Sequence, residues 1–263
     1  MSEKRQAAIF ENIGKSGARI VTLMRDYSPG HSIPLHFHDR DQLVYASRGV
    51  MTVRTGSGAW VVPTHRAVWI PASVPHTISM SGRVAMRTLY LKPGMAKSLP
   101  RDCCVVNVPP LLEQLILHAC GCGSLHLRVA WQRHLIEVIV DQLRAIQMVP
   151  LRLHNPSDPR ALRVAKALLA EPGSRQSLAR ICKASGASRR TIERLFLDET
   201  GMTFGKWRQQ LRLMHAMRLL GDGAKVTHAA MEAGYSTPSS FITAFRMALG
   251  TTPTLYFRRY AKS

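Results

Sequence analysis

The last hundred residues carry one pattern twice. Phe196-x4-Gly201-x5-Trp207 returns as Phe245-x4-Gly250-x5-Tyr256, and upstream Gly186-x-Ser188 returns as Gly234-x-Ser236. An internal repeat of this length means one supersecondary unit used twice. The residues around each copy predict a helix-turn-helix. In the first, Leu178, Ile181 and Cys182 give a short helix its apolar face. Gly186 stands where the chain must turn, and glycine tolerates φ > 0 there. Ser188 suits the N-cap of the next helix. On that helix Ile192, Leu195 and Phe196 fall on one side. Arg190, Glu193 and Arg194 are left outward, at the spacing that puts side chains on one helical face, and Arg189 beside them is a further DNA-binding candidate.

The second copy has Ala229, Ala230 and Ala233 as a small-residue face, Gly234 at the turn, and Pro238 at the first helical position, where a missing N–H costs nothing. Phe241 and Phe245 anchor the core side, and Ser239, Ile242, Thr243 and Arg246 face out. Between the copies runs FGKWRQQLRLMHAMRLL, with Trp207, Leu211, Met214, Met217 and Leu220 on its apolar side. Its Lys206, Arg208 and Arg212 are expected to be ordinary surface, at most neighbours of a nucleic-acid backbone. Such a helix can hold two reading helices about one DNA turn, roughly 34 Å, apart.

From about Asp158 to Tyr260 the chain resembles the AraC/XylS family of transcription regulators. SLARICKASGASRRTIERLF, the ETG turn and GYSTPSSFITAFRMALGTTPTLYFRRY carry the resemblance. It implies that Arg190, Glu193 and Arg194 lie where the first recognition helix meets bases. It places Pro238, Ser239, Ile242, Thr243 and Arg246 at the second. Ile242 and Thr243 are weak base readers, so the second helix is expected to meet mainly phosphates and thymine methyls.

Charge agrees with a polyanionic partner. The 263 residues hold 36 Lys+Arg and 16 Asp+Glu, a net charge of +20. That is a statement about partners and not about fold. Both halves of the chain are basic, so charge alone does not locate the DNA-binding face. No stretch reaches the roughly 18 apolar residues of a membrane span. The opening MSEKRQAAIF lacks a signal peptide's apolar core, so a cytoplasmic protein without membrane contact is expected. Five cysteines without a CxxC pair read as thiols in a reducing compartment.

Residues 19–91 read as short strands rich in Val, Thr, Tyr and Trp, separated by Gly, Pro or Ser clusters, which suggests a barrel or sandwich. Two helices follow over residues 109–148, with stripes at Leu111, Leu112, Leu115, Ile116 and at Leu135, Val138, Ile139, Leu143. Such a hairpin serves either to cover the barrel or to form a homodimer interface. The Pro-rich link PLRLHNPSD, residues 150–158, is the predicted boundary. The expected fold is therefore α+β in two domains. Residues 1–100 form a cupin-like sensor β-barrel and 101–150 a helical hairpin. Residues 151–263 form an all-α double helix-turn-helix.

Within the barrel, Gly30-x5-His36-x-His38-x3-Gln42-x6-Gly49 and Pro71-Ala-Ser-Val-Pro75-His76 resemble the two cupin motifs. In metal-binding cupins these supply His, His, Glu and a third His. On a strand His36 and His38 point to one face, and a third imidazole completes a common metal-ligand set. Gln42 replaces the motif's Glu, and Ser73 replaces its second glycine. The set His36, His38, Gln42 and His76 is thus expected to bind either an organic effector or a divalent metal, Zn or Ni. Trp60, Trp69, Tyr45 and Met51 are expected to fill the barrel.

Three function classes follow. The first is a regulator that binds promoter DNA, an effector and RNA polymerase. The second is a metal-dependent cupin enzyme, or metal sensor, with a DNA-binding tail. The third is a nonspecific nucleoid binder, which would hold random and promoter DNA equally at matched salt.

Overall fold

The computed structural model describes residues 13–146, 148–149 and 152–258. Two compact units divide the chain. The first runs to residue 152, apart from residues 57–59, and the second runs from residue 153.

The first unit is built on antiparallel strands: β1 (Ile20–Tyr27), β2 (Ser32–His36), β3 (Asp41–Thr55), β4 (Gly58–Val62), β5 (Arg66–Ile70), β6 (His76–Leu91), β7 (Cys104–Asn107), β8 (Ser124–Leu125) and β9 (Met148–Val149). Their order is β8-β1-β6-β3-β5-β7-β9, with β2 paired to β6 and β4 to β3. The two long strands organise the rest. Along one flank β6 pairs first with β2, from His36↔His76 to Ser32↔Ser79, and then with β1. Its other flank pairs with β3 throughout, with register shifts around Arg48.

QLVYAS and VMTVRT, which read as separate strands, belong to the single strand β3. The intervening Arg48-Gly49 lies in a bulge and no turn. A Cβ at Gly49 would lie 2.4 Å from the Arg83 carbonyl oxygen, so the glycine there permits the two strands to stay in contact.

Alternation along β3 and β6 divides two buried environments. Leu43, Tyr45, Leu89 and Leu91 face helices α1 (Pro110–Cys122) and α2 (Ala130–Arg144) and pack with Leu112, Ile116, Ile136 and Ile139. Gln42, Val44, Thr88 and Tyr90 take the alternate positions and are also buried. A strand buried on both faces is apolar throughout, which is why LVYA lacks an alternating pattern. The hairpin therefore covers the sheet. Its stripes shift slightly from expectation: Leu111 and Val138 are exposed, while Ile136 and Val140 point in. Trp60, Trp69, Tyr45 and Met51 are all buried, but Tyr45 and Trp69, expected to fill the barrel, pack in the cluster under the helices.

The second unit is helical: α3 (Pro159–Ala170), α4 (Leu178–Ser185), α5 (Arg189–Thr200), α6 (Phe204–Gly221), α7 (Val226–Glu232), α8 (Pro238–Leu249) and α9 (Pro253–Arg258). The repeat has a physical meaning here. Gly201 and Gly250 cap α5 and α8, each N–H donating back to the last turn. The chain reverses, and the aromatic six residues later returns onto the helix's own phenylalanine. Phe196 meets Trp207 with ring centres 5.1 Å apart, and Phe245 meets Tyr256 at 5.6 Å. Both contacts are edge-to-face, the favoured aromatic arrangement. The Trp207 Nε1–H also donates to the His154 carbonyl oxygen at 2.6 Å.

Candidate nucleic-acid interface and effector site

Helix-turn-helix geometry is set at two turns. Gly186, at φ 70°, ends α4, and Gly234, at φ 82°, follows α7. Both adopt the left-handed conformation that glycine tolerates. The Ser188 hydroxyl then accepts from the Thr191 N–H and starts α5. Thr237 and Ser240 form a reciprocal capping box at the start of α8. Ile192, Leu195 and Phe196 bury one face of α5, and Phe241, Ala244 and Phe245 one face of α8.

The opposite faces are open. Arg189, Arg190 and Arg194 are exposed on α5, with Glu193 half-buried. Two intrahelical ion pairs run along this face: Arg189 to Glu193 at 2.9 Å and Arg194 to Asp198 at 3.2 Å. Arg190 enters no ion pair among the described residues. On α8, Ser239, Thr243 and Arg246 are exposed, while Pro238 and Ile242 are half-buried. Two apolar residues on these helices were not singled out from sequence, Leu197 at 50% exposure and Met247 at 84%. Leu197 was legible as the residue one further turn along from Glu193 and Arg194. Met247 had no such signal beyond lying one turn beyond Thr243.

Arg208 and Arg212 differ from the expected surface role. Both are half-buried, and each Nη2 donates to the Ser174 carbonyl oxygen, at 2.5 and 2.9 Å.

In the first unit the structure brings His36, His38, Gln42 and His76 together. The ligating nitrogens of the three histidines lie within 4.8 Å of one another. Ring centres of His36 and His76 are 4.2 Å apart, and those of His38 and His76 5.2 Å. Each imidazole is oriented by its own backbone. Nδ1–H donates to the carbonyl of Pro34 in His36, of Arg40 in His38 and of Val74 in His76, at 2.8, 2.6 and 2.8 Å. In His36 and His76 that leaves Nε2 as the atom the neutral ring can offer. His38 meets an oxygen at both nitrogens, the Arg40 carbonyl at Nδ1 and Gln42 Oε1 at Nε2, and a neutral ring has one proton for the two. His76 is fully buried, and its Nε2 has no hydrogen-bond partner.

Burial lowers the pKa of all three rings. In His76 it acts together with the neighbouring His36 and brings the value down to about 3. The cluster is therefore neutral at pH 7. The Gln42 amide nitrogen donates to Thr88 Oγ1 at 3.2 Å and to the Tyr90 hydroxyl at 3.1 Å. Its Oε1 is thereby turned toward His38 Nε2, 2.9 Å away. A neutral oxygen thus occupies the position where an acidic ligand was absent from the sequence. Ser73 takes φ 64° in place of the motif's glycine, and its N–H donates to the His38 carbonyl at 2.8 Å. Tyr90 and Thr88 were missed from sequence. Their role follows from the β3–β6 register, Gln42↔Tyr90 and Val44↔Thr88.

The chain matches the AraC-like ligand binding domain over residues 21–204 and the helix-turn-helix domain over residues 181–259. It is 32% identical to the HTH-type transcriptional regulator NimR of Escherichia coli over 226 residues, which cover 86% of this chain and 82% of that protein. It is 34% identical to the HTH-type transcriptional regulator RipA of Corynebacterium glutamicum over 101 residues, 38% of this chain and 30% of RipA. Among solved structures, ToxT of Vibrio cholerae with unsaturated fatty acid bound aligns at TM-score 0.40 and 12% identity, covering 94% of this chain and 98% of ToxT. The two units are those of a one-component transcription regulator, a DNA-binding helix-turn-helix part behind a ligand-binding part. The chain belongs to the AraC family of such regulators.

Proposed function

We propose that a small-molecule effector enters the first unit at the His36–His38–Gln42–His76 cluster and thereby changes how α5 and α8 engage promoter DNA. The observation that carries this reading is the fully buried, unpartnered Nε2 of His76 among two further imidazoles. A buried polar atom without a partner costs about 1–3 kcal/mol, so a ligand that satisfies it gains that much. For such a ligand to regulate, it must favour one of two states of the protein. On the DNA side, Arg189, Arg190, Glu193 and Arg194 read bases of one major-groove segment. Pro238, Ser239, Ile242, Thr243 and Arg246 meet the adjacent one, Arg246 at a phosphate.

A divalent cation fits the same cluster. The Nε2 atoms of three histidines converge, each ring facing a carbonyl with its other nitrogen, the outer-shell arrangement of histidine metal ligands. With an ion bound, His38 Nε2 and Gln42 Oε1 would both turn lone pairs toward it. Three imidazoles and a neutral amide oxygen suit Zn or Ni. The ion would supply a positive centre for a lone-pair donor on the effector. The enzyme reading has less support, since the set lacks a carboxylate to serve as base. The reading is therefore of a protein that acts by binding. It works in the cytoplasm beside RNA polymerase, and among the described residues no helix is long and apolar enough to cross a membrane.

Homodimerisation through the hairpin completes the reading. Trp131 and Val138 on α2 are 51% and 42% exposed, with Leu135 half-buried between them. Such an apolar stripe along one helix suits a second copy.

The test is a footprint of the full-length protein on the intergenic DNA upstream of its own gene, with Arg194→Ala as control. Protection of two adjacent major-groove segments, weakened in the variant, is the expected result. Equal binding to promoter and random DNA at matched salt would refute it. Zinc or nickel titration by calorimetry, repeated on His76→Ala, tests the metal, and identical heats in the two proteins would exclude the cluster as its site.

A further inference from the structure

The two helix-turn-helix units are joined by more than α6. Between α3 and α4 the chain passes through Gly173, Ser174 and Arg175, and this loop lies directly against the turn of the second unit. A Cβ at Gly173 would sit 2.0 Å from the Glu232 carbonyl oxygen, and one at Gly234 would sit 2.6 Å from the Gly173 carbonyl oxygen. Two backbones touch here with no side chain between them. Above this contact the guanidinium groups of Arg208 and Arg212, from α6, both donate to the carbonyl of Ser174. From the loop itself, Arg175 Nη2 donates to the carbonyl of Tyr235 at 3.5 Å. Tyr235 is buried, and burial raises its hydroxyl pKa to about 12 despite the nearby Arg212.

An exposed arginine chosen for charge alone does not need this arrangement. Burial lowers the pKa of both Arg208 and Arg212, and their mutual repulsion adds to the effect in Arg208. Two like charges held against one neutral carbonyl are a costly device, and what they fix is the loop that opens the first unit against the turn that opens α8. We infer that Arg208, Arg212 and the Gly173–Gly234 contact form a clasp that sets the distance and rotational phase between α5 and α8, and so determine which spacing of two DNA boxes the protein accepts. α6 alone is one helix between two heads, free to bend at its ends; the clasp closes the second side of the frame. The inference rests on both helices reading DNA, as proposed above.

The experiment is in vitro selection from a random duplex pool, run in parallel with full-length wild type, with the Arg208→Lys/Arg212→Lys double variant and with Gly173→Ala. Sequencing reports two independent quantities, the motif of each box and the distribution of spacings between boxes. Wild type is expected to return two motifs at one spacing. The variants are expected to keep both motifs and to spread over several spacings. On the wild-type site they should lose roughly tenfold or more in affinity, because two heads that no longer fit together forfeit their linkage advantage. A lysine keeps the charge and cannot reproduce the planar fork, so the double variant separates geometry from electrostatics. Unchanged motifs at an unchanged single spacing in the lysine variant overturn the clasp while leaving the two-helix reading intact. A wild type that selects only one box overturns both. A lysine variant that selects no motif overturns the clasp as well, since the arginines would then maintain each head and not the relation between them.

Discussion

Arg190 is the residue through which readout is most directly testable. It is exposed on α5 and enters no ion pair among the described residues, whereas Arg189 and Arg194 each face a carboxylate one turn away. A bidentate arginine–guanine contact is worth about 1–3 kcal/mol of discrimination. Arg190→Ala is therefore expected to weaken binding to the selected site by roughly tenfold to a hundredfold, with a smaller loss on random DNA. Mobility-shift titrations on both duplexes check this, and equal losses on the two would show that Arg190 meets only phosphate.

His76 offers a second measurement at this scale. Its pKa is depressed to about 3 in the folded chain, from an ordinary 6.5. Between those values the unfolded state binds the proton and the folded state does not, so stability is present above about pH 6.5 and falls as the pH drops toward the folded value. In metal-free protein the slope from this one residue is about 1.4 kcal/mol per pH unit. Urea denaturation from pH 7 to 5 is expected to show it, and His76→Leu to flatten it.

At the scale of elements, what could be read from the chain was what local chemistry decides. Ser188 is a good cap by its own side chain, Pro238 suits a first helical position, and Gly186 and Gly234 suit turns. The α5 and α8 boundaries follow from them; Thr237, which caps α8, was not read. Ser188→Ala is expected to cost about 1 kcal/mol, measurable as a lower melting temperature, with DNA affinity reduced through fraying of the α5 N-terminus. The strands were less legible, because their partners are far away in sequence. Gly49 reads as a turn residue, and only the approach of Arg83 shows that it lies inside β3. A strand carrying both His36 and His38 was expected, but β2 ends at His36 and leaves His38 beyond it. Leu35 and Phe37, exposed at 70% and 66%, give no burial pattern that would mark its limits. The three histidines were legible through their resemblance to the cupin motifs. Thr88 and Tyr90, which orient Gln42, were not, since nothing local in β6 refers to residue 42.

For the whole molecule, charge and assembly are the measurable properties. With a net charge of +20, operator binding should weaken steeply with salt. If Arg246 meets a phosphate as proposed, Arg246→Ala is expected to lower the slope of log K against log salt by about 0.9. The apolar stripe of α2 makes a separate prediction. Trp131→Lys with Val138→Glu should convert a dimer to a monomer in sedimentation without unfolding the sheet, because both side chains point away from the buried face of the hairpin. A wild type that sediments as a monomer at micromolar concentration would dismiss the interface.

The ion pairs along α5 bear on time as well as on affinity. A chromosome presents a regulator with a vast excess of wrong sequence, and a protein this basic is in danger of lingering on all of it. Arg189 and Arg194 are already engaged with Glu193 and Asp198. If α5 reads bases as proposed, each pair, worth about 0.3–0.5 kcal/mol, opposes contact with featureless DNA by that small amount, and the two carboxylates push back against the phosphates. Bases that offer something better outweigh it. Dwell on random sequence is expected to be shortened to that extent, and the search for the operator eased. The same pairing that makes the resting helix self-contained lets the protein leave the wrong place.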